Sequence, residues 1–189
     1  MWVSSSCLEY YYSRTIAFAV LDRVEEAEIE YKKFKDLFEV LPSELMMYTN
    51  PVKSYFSVAD AMALGELLYR KKQYKEAFEY LRKSVELNDS LIYGEPWPWP
   101  QPPRHALGAL LLEQGHIDES IEVYKKDLAI FPNNIWSLTG LYDCYLQKSN
   151  NNNSEIETEE IYKLKIKLDD ARKIISTNIK SSCYCKKNS

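Results

Sequence analysis

His105, His116 and the pair Cys183 and Cys185 are the residues whose chemistry most invites a functional reading, and their spacing limits what that chemistry can be. Two histidines eleven residues apart form no His-Glu-x-x-His zinc site, and the chain has no Gly-rich phosphate loop and no Ser or Cys nucleophile in a recognisable elbow. Catalysis is therefore not expected, and neither is a cofactor. Cys183-Tyr184-Cys185 is the one metal-like feature. One intervening residue is fewer than the two to four of ordinary zinc pairs, although thiolate pairs do bind soft metals. The competing readings are a frayed tail with two thiols, or an apolar anchor that packs Tyr184 on the last helices. His105, beside Arg104, is the sharpest polar residue. Facing Glu66 or Asp143 across adjacent helices, it would orient a ligand by hydrogen bonding to a carboxylate. The alternative is a structural histidine tying neighbouring helices together, which is favoured because paired groups need not be functional. His116, in the turn after Gly115, reads as exposed turn chemistry.

Composition narrows the partner classes. A chain of 189 residues, 46% of them apolar, can bury a core as one domain or one repeat array. The longest apolar runs, Ile16 to Leu21 and Ala106 to Leu112, fall far short of the roughly 20 residues that cross a bilayer. The start, Met1-Trp2-Val3-Ser4-Ser5-Ser6, lacks the basic and apolar regions of a secretory signal. A cytoplasmic protein without a membrane partner is expected. With 24 basic and 28 acidic residues the net charge is −4, which offers no general attraction to phosphate backbones, so nucleic acid is not an expected partner. Cys7, Cys144, Cys183 and Cys185 are too few and too uneven for a disulfide framework, and a reducing compartment suits them.

Glycine occurs only five times and apolar residues recur at helical spacing, so the expected fold is all-α. Arg104-x2-Leu107-Gly108-x2-Leu111, then Ser120-x3-Tyr124, then Pro132, follows the offsets of one tetratricopeptide helix pair. A second copy runs Ala61-x2-Leu64-Gly65-x2-Leu68, then Ala77-x3-Leu81, with Asp89 in the place of the closing proline. A degenerate first pair covers about 6–41, with Ala27 in the small-residue slot of its second helix followed by Tyr31 and Phe34; its first helix lacks the Leu-Gly signature. The segment Pro42 to Pro51 reads as a loop. Helices are expected at about 52–70, 74–88, 103–114, 117–130 and 134–147, with Gly115 at a C′ position. In the last pair, 134–180, Leu138, Leu141 and Tyr145 take core slots and Tyr142 stands in the glycine slot. Ser149 to Ser154 should be a disordered Asn-rich linker. Beyond it Ile161, Leu164, Leu168, Ala171 and Ile175 mark one apolar stripe, with charged residues around it as a solvated capping face, and 181–189 is a flexible tail. The expectation is a single domain over 1–180, a tetratricopeptide-like α-solenoid of about four helix pairs.

Gly65 and Gly108 are 43 residues apart, whereas a plain repeat is about 34. The excess falls on Tyr93-Gly94-Glu95-Pro96-Trp97-Pro98-Trp99-Pro100-Gln101, where alternating proline predicts an extended arm. Trp97 and Trp99 either fold back over the helix pair or face a ligand; the first reading is favoured because aromatics bury large area where they can.

The run Leu91 to Trp99, with Arg104 to Gly115 and Val123 to Leu128, resembles a tetratricopeptide-repeat (TPR) family with bacterial and lower-eukaryotic members and no assigned biochemical role. The likeness covers about residues 10–185, including Asn133 to Leu138 and Ser182 to Cys185, and relatives extend further at the amino end with histidine-bearing repeats. The resemblance implies the fold, an adaptor-like role, and a site shared by the Glu-Pro-Trp arm and the Arg104-His105 pair. It also implies that the second, fifth, ninth and twelfth positions of each first helix face a concave groove: Ala59, Met62, Glu66 and Tyr69, then Pro102, His105, Ala109 and Leu112, then Trp136, Thr139, Asp143 and Leu146. The lysine, asparagine and arginine of a carboxylate clamp are missing from the fifth and ninth of these, so an acidic tail is not expected. The candidate binding residues are Met62, Glu66, Tyr69, Trp97, Trp99, Arg104, His105, Trp136 and Asp143, suited to a ligand with an apolar part and a basic or hydrogen-bonding end.

Two functions are compatible with these residues. One is an interaction module that holds a protein or peptide segment in the groove beneath the arm. The other is a small-ligand or metal-binding protein, enzymatic only with further amino-terminal repeats. An unpaired first helix would also expose Tyr10, Ile16 and Phe18 and favour self-association.

Overall fold

The computed structural model describes residues 2–95, 97–152, 155–177, 179–183 and 185, the side chains of 2–4 and 151–158 excepted. Eight helices lie among them: α1 (Trp2–Val20), α2 (Val24–Glu39), α3 (Val52–Arg70), α4 (Tyr74–Asp89), α5 (Pro103–Glu113), α6 (Ile117–Ile130), α7 (Ile135–Asn152) and α8 (Glu155–Ile174). The chain is all-α and tetratricopeptide-like, with one small exception. Between α2 and α3, where a plain loop is expected, β1 (Met46–Met47) and β2 (Asn50–Pro51) pair antiparallel. The chain divides into two compact units, Met1–Pro103 and Arg104–Ser189.

One turn recurs three times and fixes the repeat register. A residue with left-handed backbone, Asp22 at φ 59°, Lys72 at φ 62° and Gly115 at φ 79°, follows α1, α3 and α5 in turn. In each case the next amide reaches back five residues: Arg23 N–H to Phe18 O, Gln73 N–H to Leu68 O, and His116 N–H to Leu111 O, at 2.9, 3.0 and 2.9 Å. This is the Schellman closure, which satisfies carbonyls a helix end would leave orphaned. Four residues beyond each turn's last member sit Ala27, Ala77 and Ser120, all at 0% exposure. The degenerate first pair is thus a true copy. Counting back from its turn puts Thr15 where the later copies have Gly65 and Gly108. Thr15 is fully buried and its Oγ1 donates to Tyr11 O, an internal bond that lets a hydroxyl stand in that slot.

In the first unit, α3 lies closest to α4 at Gly65, where an added Cβ would come within 2.8 Å of Leu81 Cγ and 3.1 Å of the Leu81 backbone nitrogen. Ala19, Ala27 and Leu67 join α1, α2 and α3, while Phe34 and Phe56 fill the space beside them. The first helix is therefore packed rather than unpaired: Tyr10 is exposed, but Ile16 and Phe18 are half-buried.

In the second unit the ring of Tyr124 is a wedge between α5 and α7. A Cβ on Gly108 or Gly140 would stand 2.5 or 2.2 Å from its Cζ, so both helices need glycine there. Leu138 and Leu141 are core residues as expected, but the close-approach glycine of α7 is Gly140, two residues before Tyr142. The helix runs on to Asn152, through most of the stretch expected to be a linker. Asparagine costs a helix only about 0.7 kcal/mol per residue, and a helix anchored by buried Leu138, Leu141 and Cys144 propagates through such a run. Asn153 and Ser154 lie outside the described residues. Leu164 and Leu168 of α8 bury against α7 with Ile179 from the tail, while α8 itself ends at Ile174, short of the 180 expected.

Candidate functional site

The arm and the hairpin, the two insertions of the first unit, are fastened to each other. Asn50 of β2 turns both ends of its carboxamide to one residue of the arm: its Oδ1 accepts from Ile92 N–H and its Nδ2 donates to Ile92 O, both at 2.8 Å, while Nδ2 also donates to Thr49 Oγ1 at 3.2 Å. Thr49 Oγ1 adds a bond to Tyr93 O at 3.3 Å. An arm rich in proline has few amides to spend on secondary structure, so this side-chain bridge substitutes for a strand. Asn50 is 4% exposed and β1 with β2 positions it.

From that anchor the two arm tryptophans part company. Trp99 turns inward, 2% exposed, its ring edge-on to Tyr12 and Tyr55 at 5.1 and 5.0 Å. Trp97 stays 43% exposed, edge-on to Tyr93 at 5.7 Å. Pro96 lies outside the described residues. Between arm, hairpin and the start of α1 is a cleft of about 300 Å³ whose walls include Tyr48, Tyr55, Trp97, Pro98 and the carboxylates of Glu9 and Glu95. Tyr48, at the hairpin turn, has left-handed backbone at φ 54°, uncommon for an aromatic residue, and presents its ring 79% exposed.

The charge in this cleft is of one sign. Among the described residues no basic side chain lines it. Tyr93 donates to Glu95 Oε1, which orients that carboxylate and raises the phenol's own affinity for its proton. Burial, with the negative charge of Glu9 and the neighbouring Tyr48, pushes the Tyr55 hydroxyl up to about 12. Tyr55 remains an uncharged donor at any ordinary pH.

The groove slots of α3 are closed rather than open. Met62, Glu66 and Tyr69 are 0%, 0% and 3% exposed. Tyr12 of α1 lies over them, its hydroxyl 2.8 Å from Gln101 Oε1 and 3.1 Å from Met62 Sδ. Tyr69 packs edge-on against Tyr74 and Phe78 of α4. Neither oxygen of Glu66 has a hydrogen-bond partner among the described residues. Burial pushes its carboxyl from the ordinary 4.5 up to about 7, with the Arg70 charge pulling weakly the other way. The α3 slots therefore line an internal surface; the physical reason is that the preceding α1 and the arm supply enough apolar cover to seal them.

In the second unit, His105, Trp136 and the adjoining polar groups form a filled junction of α5, α6 and α7. The carboxylate beside His105 is that of Asp127, which the sequence reading did not single out, at 3.6 Å from Nε2. Asp127 Oδ2 accepts from Ser137 Oγ at 2.6 Å and from Asn134 Nδ2 at 2.9 Å. The same Asn134 nitrogen is 2.9 Å from His105 Nε2, while Asn134 Oδ1 accepts Trp136 N–H. Trp136 stacks on the imidazole at 6.5 Å. Burial would raise the Asp127 carboxyl, but His105, Ser137 and Asn134 outweigh it and hold the group below its usual range. This matches the structural reading of His105 as a tie between helices. Arg104 is buried, Asp143 half-buried and His116 exposed.

Cys183 and Cys185 are joined to each other as a disulfide, both buried, and neither Cys7 nor the buried Cys144, which lies 3.1 Å from Ser120 Oγ, takes part in a disulfide. No group of three or more His, Cys, Asp or Glu side chains that could hold a metal occurs among the described residues. The tail is an anchor: Ile179 enters the core and Ser182 bonds the Tyr124 hydroxyl. Tyr184 is outside the described residues.

Sequence reasoning missed Tyr48, Tyr55, Glu9 and the bridging Asn50. A signal for the first was present. Met46, Met47 and Tyr48 are large apolar residues in a stretch otherwise reading as a connecting loop, and large apolar groups on a loop mark a surface to be covered.

None of the described helices is long and apolar enough to cross a membrane. No curated protein matches the chain. Residues 57–133, which take in α4, α5, α6 and most of α3, match the family model described as tetratricopeptide repeat. The turns at Lys72 and Gly115, the small residues Ala77 and Ser120, and the Gly65–Leu81 and Gly108–Tyr124 contacts agree with that match, and residues 57–133 are a tetratricopeptide-repeat segment.

Proposed function

We propose that this chain is an interaction module that holds a segment of a protein partner in the cleft between the tryptophan arm and the hairpin. Tetratricopeptide repeats act in general as protein-interaction scaffolds, and the family match supports that class of role. The observation that carries the location is the division of labour between neighbouring tryptophans: Trp99 is committed to the core, whereas Trp97 is kept half in solvent on the wall of a preformed 300 Å³ cleft. Exposed Met46, Tyr48, Ile92 and Tyr93 surround it on the same two insertions, and apolar side chains grouped in this way favour a partner over water.

The burial of Met62, Glu66 and Tyr69 argues against a ligand lying directly on α3, and the closed polar network around His105 argues against a ligand there. A peptide-display selection on the immobilised protein tests the reading. Enriched sequences should bind the wild type and lose at least tenfold in affinity to Trp97→Ala. Enrichment of sequences indifferent to Trp97, or of none, would defeat it.

A further inference from the structure

We propose that the cleft is a subsite for the guanidinium of an arginine side chain carried by the partner segment. This rests on the interaction-module reading above and names the chemistry of what enters.

Two features of the cleft select that group. Among the described residues its walls carry Glu9 and Glu95 and no lysine or arginine, and no basic side chain pairs with either carboxylate. A cation entering the cleft therefore meets uncompensated negative charge, and an acidic tail meets repulsion. Three aromatic residues, Tyr48, Tyr55 and Trp97, also line it; the rings of Tyr48 and Trp97 are exposed, and a cation gains from lying on such a face. Of the two basic side chains, arginine suits this combination better. Its planar head stacks on rings while its fork of donors meets a carboxylate, and it gives up its hydration more readily than an ammonium does.

Size and stiffness agree with that choice. A volume of about 300 Å³ is at the lower end for ligand pockets, room for one long side chain rather than a folded segment. The rim is held in advance, by Asn50 on Ile92 and by the Tyr93 bond that orients Glu95, so little ordering remains to be done when a side chain arrives. The rest of the partner segment would run over the exposed Met46, Ile92 and Tyr93 beside the opening.

The probes are capped pentapeptides of one sequence, Gly-Ala-X-Ala-Gly, with X arginine, lysine, citrulline or glutamate, together with free arginine amide. Binding is read from the indole N–H resonance of Trp97, assigned with the Trp97→Phe variant. The arginine peptide should shift it saturably, bind about tenfold tighter than citrulline or glutamate peptides, and weaken with salt. Glu9→Gln with Glu95→Gln should abolish that preference. Tyr48→Gly should weaken binding while leaving the melting temperature unchanged or higher, because glycine relieves the left-handed backbone there. Equal binding of the citrulline peptide, or a preference surviving the double glutamine variant, would overturn the arginine assignment while leaving a peptide-binding cleft standing. Free arginine amide binding as tightly as the peptide would assign the site to a small molecule and overturn the partner source. No shift with any probe, in a protein that retains its melting temperature, would overturn the subsite and, with an empty display selection, the interaction module as well.

Discussion

The cleft beneath the arm and the junction around Asp127 are built from the same kinds of residue, carboxylates beside tryptophan, and the fold leaves them in opposite states. At the junction the carboxylate receives donors from Ser137 and Asn134 with His105 alongside, and Trp136 is stacked on the imidazole. In the cleft the carboxylates of Glu9 and Glu95 meet no cation among the described residues, and Trp97 keeps nearly half of its surface in solvent. Residue type does not separate a brace from a binding site; what separates them is whether the hydrogen-bonding capacity has already been consumed within the fold. A saturated carboxylate rigidifies its surroundings. One left facing solvent beside aromatic rings is available to a ligand.

Several substitutions break or sharpen that contrast. Trp99→Ala, emptying the space against Tyr12 and Tyr55, should cost about 3–5 kcal/mol in denaturant unfolding. If instead the loss is below about 1 kcal/mol, the arm is not anchored by this ring. Asp127→Ala should cost about 3 kcal/mol by leaving buried donors without an acceptor, whereas Glu95→Gln in the cleft should change stability by less than about 0.5 kcal/mol. Equal effects would erase the distinction between the two regions.

The buried Glu66 provides a third case, a carboxylate that is enclosed but has no donor. Its raised folded pKa means that the folded state holds a proton the unfolded chain has released, so stability is greatest below about pH 4.5 as far as this group is concerned and declines as pH rises to about 7. The change should amount to about 3 kcal/mol at most. Urea titrations at pH 5 and pH 8 should show it, and Glu66→Gln should flatten it. Asp127 has the opposite sign: its depressed pKa gives stability that is present above its ordinary 3.8 and is lost as pH falls below that. A small gain is expected at Lys72→Gly. Removing the side chain from the left-handed turn position should add about 0.5–1 kcal/mol, and a loss would mean that the Lys72 stem packs usefully.

The repeated part of the molecule was readable because close packing restricts residue size at fixed offsets. Ala77, Ser120, Gly65 and Gly108 are small for reasons that any chain of this register must share, and the bounds of α3 came out as Val52 to Arg70 directly from that pattern. The site was less readable. The arm was visible as an excess of length rich in proline and tryptophan, but nothing along the chain says that Asn50 would grip Ile92, 42 residues away, or that Glu9 would share a wall with Trp97. Those contacts belong to insertions, which obey no period. Gly140 was overlooked for a related reason: the wedge it accommodates, Tyr124, arrives from a neighbouring helix rather than from its own repeat.

The bridge from Asn50 to Ile92 also supplies a gauge. The Ile92 amide lies in a segment without helix or strand, yet it is donated to a buried carboxamide, so its exchange with deuterium reports the parting of arm and hairpin and nothing else in the loop. A ligand that holds the two insertions together would slow that single proton in proportion to its occupancy, making a lone backbone position a counter of how often the mouth of the cleft opens.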